Sequence, residues 1–385
     1  MAHITQILFV FLPLSYALLV LPVPNGTYGV HTAQIALTDT SRLDPFAPSP
    51  ENRSVVVSAF YPIALRKDCH WRLTPYMPDG TAAFYDHNFG VPKGTIESGK
   101  LQMCSPPQKA SAHQPYQTIG LDLQKFPLVL FSPGAIAQTV ASHGYIVVTI
   151  DHPYDAAIVQ FPDGRLVLGS TQLNSSDLPM MVKTRAKDVS FVLDELEAVD
   201  VVRRLLPQYH SSSRLDTRQV AMWGHSLGGA ATASAMAIDK RIVGGLNLDG
   251  PMFGPVLSNG LGRPFILFGS DPAFHGGKDS KASWVAMLAS WTQIWPHLSW
   301  KLDLMLKSSG HGTFQDLPLL AHLLYGNGKL PQEIVGNIGT LPSDRAMKIV
   351  TTYVTAFMDM VLKCAPQALL QRPSELFPEV VFIAK

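Results

Sequence analysis

Two hydrophobic rhythms run along this chain, and together they predict its architecture. Near the start the period is two. Gly29 to Thr38 and Arg53 to Tyr61 read as strands, the second carrying the alternation Ser54-Val55-Val56-Val57-Ser58-Ala59-Phe60 of a half-buried strand. The loop Asp39 to Asn52, rich in Pro, Ser and Asp, joins them as an antiparallel pair. Phe126 to Ser132 and Tyr145 to Ile150 are near-continuous apolar runs, as strands covered on both faces require. Thr184 to Leu206 changes to helical spacing, with Val189, Val192, Leu193, Leu196, Val199 and Val202 on one side. Short apolar runs then recur at Arg218 to Trp223, Arg241 to Asp249, Pro264 to Gly269 and Trp300 to Leu306, and a last helix is predicted over Ser343 to Leu362. Antiparallel strands followed by alternating strand and helix predict an α/β fold with a mostly parallel, doubly wound sheet.

Two stretches break these rhythms. Lys67 to Gln124 is irregular and too long for a plain loop, so it reads as a cover or an insertion. The apolar block Ile7 to Val20, with small residues at Ser15-Tyr16-Ala17, reads as a signal peptide over residues 1–17, with an uncleaved anchor as the alternative. Residues 18–385 then form a single catalytic domain with its insertion at about 67–124. Export agrees with sequons at Asn25, Asn52 and Asn174, read as glycosylation sites. It also allows Cys69 and Cys104, which bracket the irregular segment, to form a disulfide. Cys364, in a helical pattern, is left as a buried thiol.

Composition removes several classes of function. The chain is 46% hydrophobic and 15% charged with a formal net charge of +1, and it has no basic run, so a nucleic-acid partner is not expected. Zinc-like Cys/His spacing and solenoid repeats are missing, and no metal or cofactor is implied.

The stretch Gly224-His225-Ser226-Leu227-Gly228 matches Gly-x-Ser-x-Gly, the sharp strand-to-helix turn that lifts a serine hydroxyl clear of an α/β-hydrolase sheet. A buried strand precedes it and a small-residue helix, Gly229 to Ile238, follows, which favours this reading over a Gly/Ser loop. A serine needs a histidine to take its proton, and that histidine needs a carboxylate to hold its tautomer. In this fold the order along the chain is Ser, acid, His. Asp249 and Asp271 each end a strand after Ser226 and are rival acids, while His311 lies in a loop after the last parallel strand. Among other histidines, His225 adjoins the turn and reads as packing beneath it, His152 as a structural wall, and His275 as a third choice of base.

These residues carry a resemblance. Gly224 to Gly229, Asn247-Leu248-Asp249-Gly250-Pro251-Met252-Phe253 and Gly310-His311-Gly312-Thr313-Phe314-Gln315-Asp316 resemble the three catalytic blocks of the secreted, calcium-independent platelet-activating-factor acetylhydrolase family. Asp39-Thr40-Ser41-Arg42, Tyr61-Pro62 and Ser142-His143-Gly144-Tyr145-Ile146-Val147 extend the similarity over most of the chain after Leu21. The resemblance selects Asp249 over Asp271 and implies Ser226 as nucleophile, Asp249 as orienting acid and His311 as general base. It further implies hydrolysis of a short or oxidised sn-2 acyl ester of a phospholipid through an acyl-enzyme, at a lipid interface. Oxyanion donors would be the backbone N–H of Leu227 and that of Ala135.

One segment departs from the family. Only Pro133 to Gly144 separate two predicted strands, and about eight helical residues rise only about 12 Å against the 17–20 Å of an average strand. A collapsed oxyanion loop would make the chain a lipid-binding protein without turnover. A carboxylesterase or polyester hydrolase acting on other esters is the alternative within enzymes, since fold and triad do not fix the substrate. Trp284, Trp291, Trp295 and Trp300 read as a lipid-facing or acyl-binding surface or, through Trp291 and Trp295 at i and i+4, as helix-to-sheet packing, and no site is assigned to them. Oligomeric state is left open.

Overall fold

A computed structural model describes residues 18–105, 122–131, 135–209, 214–275, 278–326 and 328–385. The predicted signal peptide, 1–17, lies outside the described residues, as does the part of the expected oxyanion loop before Ala135. The chain forms two compact units interleaved along the sequence.

The first unit takes the chain up to residue 126 and adds 141–177 and 195–215. Strand Tyr28–Leu43 pairs antiparallel with Asn52–Leu65, which pairs antiparallel with Ile146–Asp151. Val55, Val56, Val57 and Ala59 are fully buried, so apolar side chains fill both faces of this strand as well as its alternating positions. Arg53 and Asp44 form an ion pair at 2.7 Å with both side chains buried, where each charge needs the other. The segment expected to be irregular is partly regular. His70–Pro75 pairs antiparallel with Lys100–Ser105, and Asp79–Asn88 is a helix. Most side chains of His70–Pro75 face solvent, so no apolar alternation marks that strand. Cys69 is bonded to Cys104. Asn25, Asn52 and Asn174 are exposed, and Asn174 Oδ1 accepts from both the N–H and the hydroxyl of Ser176.

The second unit holds the parallel sheet. Its strands lie in the order Leu128–Phe131, Val220–His225, Ile242–Leu248, Phe265–Gly269 and Lys301–Leu306, all parallel. A sixth strand, Val380–Ala384, pairs antiparallel with the last of these and lies beyond the pattern read from the sequence. The predicted long helix is two, Leu178–Glu195, nearly all of it in this unit, and Val199–Leu205, which belongs to the first. Ala198 between them is extended, and the apolar stripe simply continues across the break, so periodicity cannot register it. The final helix, Ser343–Leu362, buries Ile349, Val350, Tyr353, Val354 and Phe357. Cys364, expected to be buried, is an exposed thiol. The helix has ended by then, and Cys364 takes a left-handed φ of 51° in the turn that leaves it.

The elements on either side of residues 132–134 are both short. Strand Leu128–Phe131 has four residues, about 13 Å at the usual rise. The helix Ala135–Ser142 has eight, about 12 Å. The helix is therefore about as long as the strand before it. Among the described residues no helix is long and apolar enough to cross a membrane.

Candidate active site

Three loops at the carboxyl ends of the parallel strands build the site, where side chains of such sheets converge. The first is the turn at Ser226. It follows strand Val220–His225, starts the helix Leu227–Ile238 and takes φ 55° and ψ −124°, a conformation costly for a side chain. The strain is held by hydrogen bonds. Ser226 N–H donates to the carbonyl of Leu248, and the Ser226 carbonyl accepts from Gly229 and Ala230. Gly224 is required, because a Cβ there would stand 2.2 Å from the Gly228 carbonyl. Leu227 is the first residue of the helix, so its N–H has no intrahelical acceptor and is available to a ligand.

The second loop begins at Asp249, also at φ 55°. Asn247 clamps the turn: its side-chain amide donates to the Gly250 carbonyl and accepts from the Gly250 N–H, both at 2.8 Å. Gly250 cannot carry a side chain, since a Cβ would meet the Ser226 carbonyl at 2.0 Å. Trp291 Nε1 also donates to the Gly250 carbonyl, so this tryptophan packs and positions at once. Asp249 is 1% exposed. Burial pushes its carboxyl up, but hydrogen bonds from His311 and Ser270 outweigh that and hold it below its ordinary value.

The third loop carries His311. Its Nδ1 donates to Asp249 Oδ2 at 2.7 Å, and its Nε2 lies 3.1 Å from Ser226 Oγ. The structure therefore brings Ser226, Asp249 and His311 into one hydrogen-bonded line. The His311 side chain is 41% exposed, leaving its outer edge open to solvent. Asp271 does other work: its carboxylate accepts from Ala273 N–H and Ser308 N–H, shaping the loop that presents His311. His275 hydrogen-bonds Ser270 and stacks on Trp284. His152 is buried in the first unit, its carbonyl accepting from Ala156 N–H.

Other residues around the site make contacts that the sequence reading did not assign. His225 packs against His311, ring centroids 4.4 Å apart. Burial, helped by the nearby His311, drives its pKa down to about 3, so it stays neutral beside the His311 ring. Gln315 Nε2 donates to His225 Nδ1 at 2.9 Å. Ala135, expected to offer its N–H to an oxyanion, instead donates to the carboxylate of Asp316, which also accepts from Ile136 N–H at 3.4 Å. Asp316 is buried, and a buried carboxylate recruits the nearest donors. The family block carried the signal for Gln315 and Asp316, but only as letters without partners.

A strained serine at a strand-to-helix turn, on a parallel sheet and in line with a later histidine and aspartate, defines the α/β-hydrolase fold class. A ferulic acid esterase from Streptomyces cinnamoneus superposes with a TM-score of 0.74 at 30% identity, covering 96% of this chain and all of the other. The family model described as platelet-activating factor acetylhydrolase, isoform II, matches residues 179–366. A probable 1-alkyl-2-acetylglycerophosphocholine esterase from Arthroderma benhamiae is 30% identical over 392 residues, 94% of this chain and 93% of that protein. A platelet-activating factor acetylhydrolase from Cavia porcellus is 25% identical over 268 residues, 62% of this chain and 58% of the relative. The chain belongs to the platelet-activating factor acetylhydrolase family and is a carboxylic ester hydrolase.

Proposed function

We propose that this protein is a secreted, N-glycosylated serine esterase that hydrolyses the sn-2 acetyl, or another short or oxidised acyl, ester of phospholipids. The observation that carries the reading is the line Ser226 Oγ to His311 Nε2 at 3.1 Å and His311 Nδ1 to Asp249 at 2.7 Å. His311 takes the hydroxyl proton as Ser226 Oγ bonds to the ester carbonyl carbon, and Asp249 stabilises the imidazolium that forms. The oxyanion meets the N–H of Leu227. Ala135 adds a second donor only if Asp316 releases it. As the intermediate collapses, the sn-2 C–O bond breaks and His311 protonates the departing lysophospholipid oxygen. Water then attacks the acyl-enzyme with His311 again as base, releasing the carboxylic acid and restoring Ser226. Asn25, Asn52 and Asn174 are the glycan acceptors in this reading, supported by their exposure.

A fluorophosphonate probe tests the mechanism: wild type is expected to label and to hydrolyse an sn-2 acetyl phospholipid, and Ser226→Ala to do neither. Folded wild type that neither labels nor turns over would make the protein a lipid binder. A second reading, a carboxylesterase for non-phospholipid esters, is favoured by the likeness to the ferulic acid esterase over that whole chain. A kcat/KM higher for short aryl esters than for sn-2 acetyl phospholipids would select it.

A further inference from the structure

The hydrogen-bonded line does not stop at Asp249. Behind the carboxylate, Ser270 directly follows strand Phe265–Gly269 and makes two bonds to Asp249: its N–H to Oδ1 at 2.7 Å and its hydroxyl to Oδ2 at 2.8 Å. The same hydroxyl oxygen lies 2.8 Å from His275 Nε2. Ser270, Asp249 and His275 are all buried. A serine has one hydroxyl proton. An ionised carboxylate can only accept, so Ser270 gives that proton to Asp249, and His275 Nε2 must be the donor to Ser270. The direction of each bond is thereby fixed: His275 to Ser270, Ser270 to Asp249, and His311 to Asp249.

We propose that Ser270 and His275 are positioning residues that extend the triad to five members, His275–Ser270–Asp249–His311–Ser226. Together they hold the Asp249 carboxylate ionised and in the plane that serves His311. The proposal rests on the reading of Ser226, His311 and Asp249 as the triad. Oδ2 receives two side-chain donors, from His311 and from Ser270, so the hydroxyl competes with His311 for one oxygen and moderates its negative charge. By accepting from His275, Ser270 becomes a stronger donor in turn. Trp284 stacks on the His275 ring at 5.6 Å and 23°, setting its plane. Among the described residues, the titratable groups that act on this line are His225 from the preceding strand end and Asp271 beside His275. Burial holds His275 below its ordinary value, so it acts as a neutral donor.

The test is the pH profile of kcat/KM for p-nitrophenyl acetate in the full chain. Ser270→Ala removes the hydroxyl but keeps the backbone donor. The carboxylate, one bond short, then holds the proton of the Asp249–His311 pair more tightly. The acid limb should move up by about half a pH unit, and kcat/KM at neutral pH should fall about fivefold to tenfold. His275→Leu should move the limb the same way by less, and His275→Gln, which keeps an N–H donor, should restore it. Should Ser270→Ala not fold, the His275 pair carries the test by itself. A merely structural role would lower the melting temperature without moving the limb, and that result, with the limb unmoved in both Ser270→Ala and His275→Leu, overturns the proposal while the triad stands. Full activity in Ser226→Ala would remove the triad reading and this proposal with it.

Discussion

Exchanging Asp249 for asparagine changes the site by one atom and leaves its volume alone. The carboxylate accepts three hydrogen bonds, from Ser270 N–H on Oδ1 and from the Ser270 hydroxyl and His311 Nδ1 on Oδ2. An amide keeps one oxygen. If its NH2 faced the backbone N–H of Ser270, two donors would oppose each other at 2.7 Å in a site 1% exposed. That costs about 1–3 kcal/mol, because a backbone N–H cannot turn away. The opposite orientation is favoured, since the Ser270 hydroxyl can rotate to accept. The NH2 then faces His311 Nδ1, which must accept, and the ring proton moves to Nε2. His311 would present an N–H to Ser226 Oγ, 3.1 Å away, and could no longer take its proton. The expected loss in kcat is about 10⁴-fold, equivalent to about 5.5 kcal/mol of transition-state stabilisation. KM should change little, because the carboxylate lies behind the base. Steady-state hydrolysis and the rate of fluorophosphonate labelling should fall together, at a melting temperature within a few degrees of wild type. A loss below about tenfold, in folded protein, would refute the reasoning.

Two further outcomes concern stability. Cys69 and Cys104 stand 35 positions apart, and closing a loop of that length stabilises by about 4 kcal/mol on the chain-entropy account; Cys69→Ser with Cys104→Ser should therefore lower the urea midpoint clearly, and an unchanged midpoint would exclude that contribution. Burial raises Asp303, on strand Lys301–Leu306, from its ordinary value of 3.8 to about 7, so its neutral form suits the fold and stability should be full below pH 4 and fall as pH rises toward 7; the full rise converts to about 4 kcal/mol, and solvent screening of this half-buried side chain halves it, so Asp303→Asn should remove about 2 kcal/mol of that decline in urea melts at pH 4 and pH 8, and an identical slope in both proteins would contradict it.

The elements that were legible in the sequence are those whose cause is local. The turn at Ser226 shows because only glycine and small residues permit such close approach of strand and helix, and the parallel strands show because burial on both faces demands unbroken apolar runs. Features that depend on a partner were not legible. The segment between Lys67 and Gln124 conceals a strand whose side chains mostly face solvent. The two-helix break at Ala198 leaves the apolar stripe intact, and the exposure of Cys364 follows from where its helix ends.

The same division holds within the site. Residue types and order alone set Ser226, a following acid and a final histidine, because acyl transfer needs those groups and this fold presents them at strand ends in that order. They left Asp249 and Asp271 level, since both end adjacent strands, and only the resemblance chose between them. The tertiary structure distinguishes the two by contact: Asp249 meets His311, and Asp271 meets the backbone of the loop that carries it. Ser270 on Asp249, Gln315 on His225 and Asp316 on Ala135 join residues 21, 90 and 181 positions apart. No periodicity encodes such pairs. A hydrogen bond is decided by the direction of a donor and the want of a buried acceptor, and both come into being only when the chain has folded.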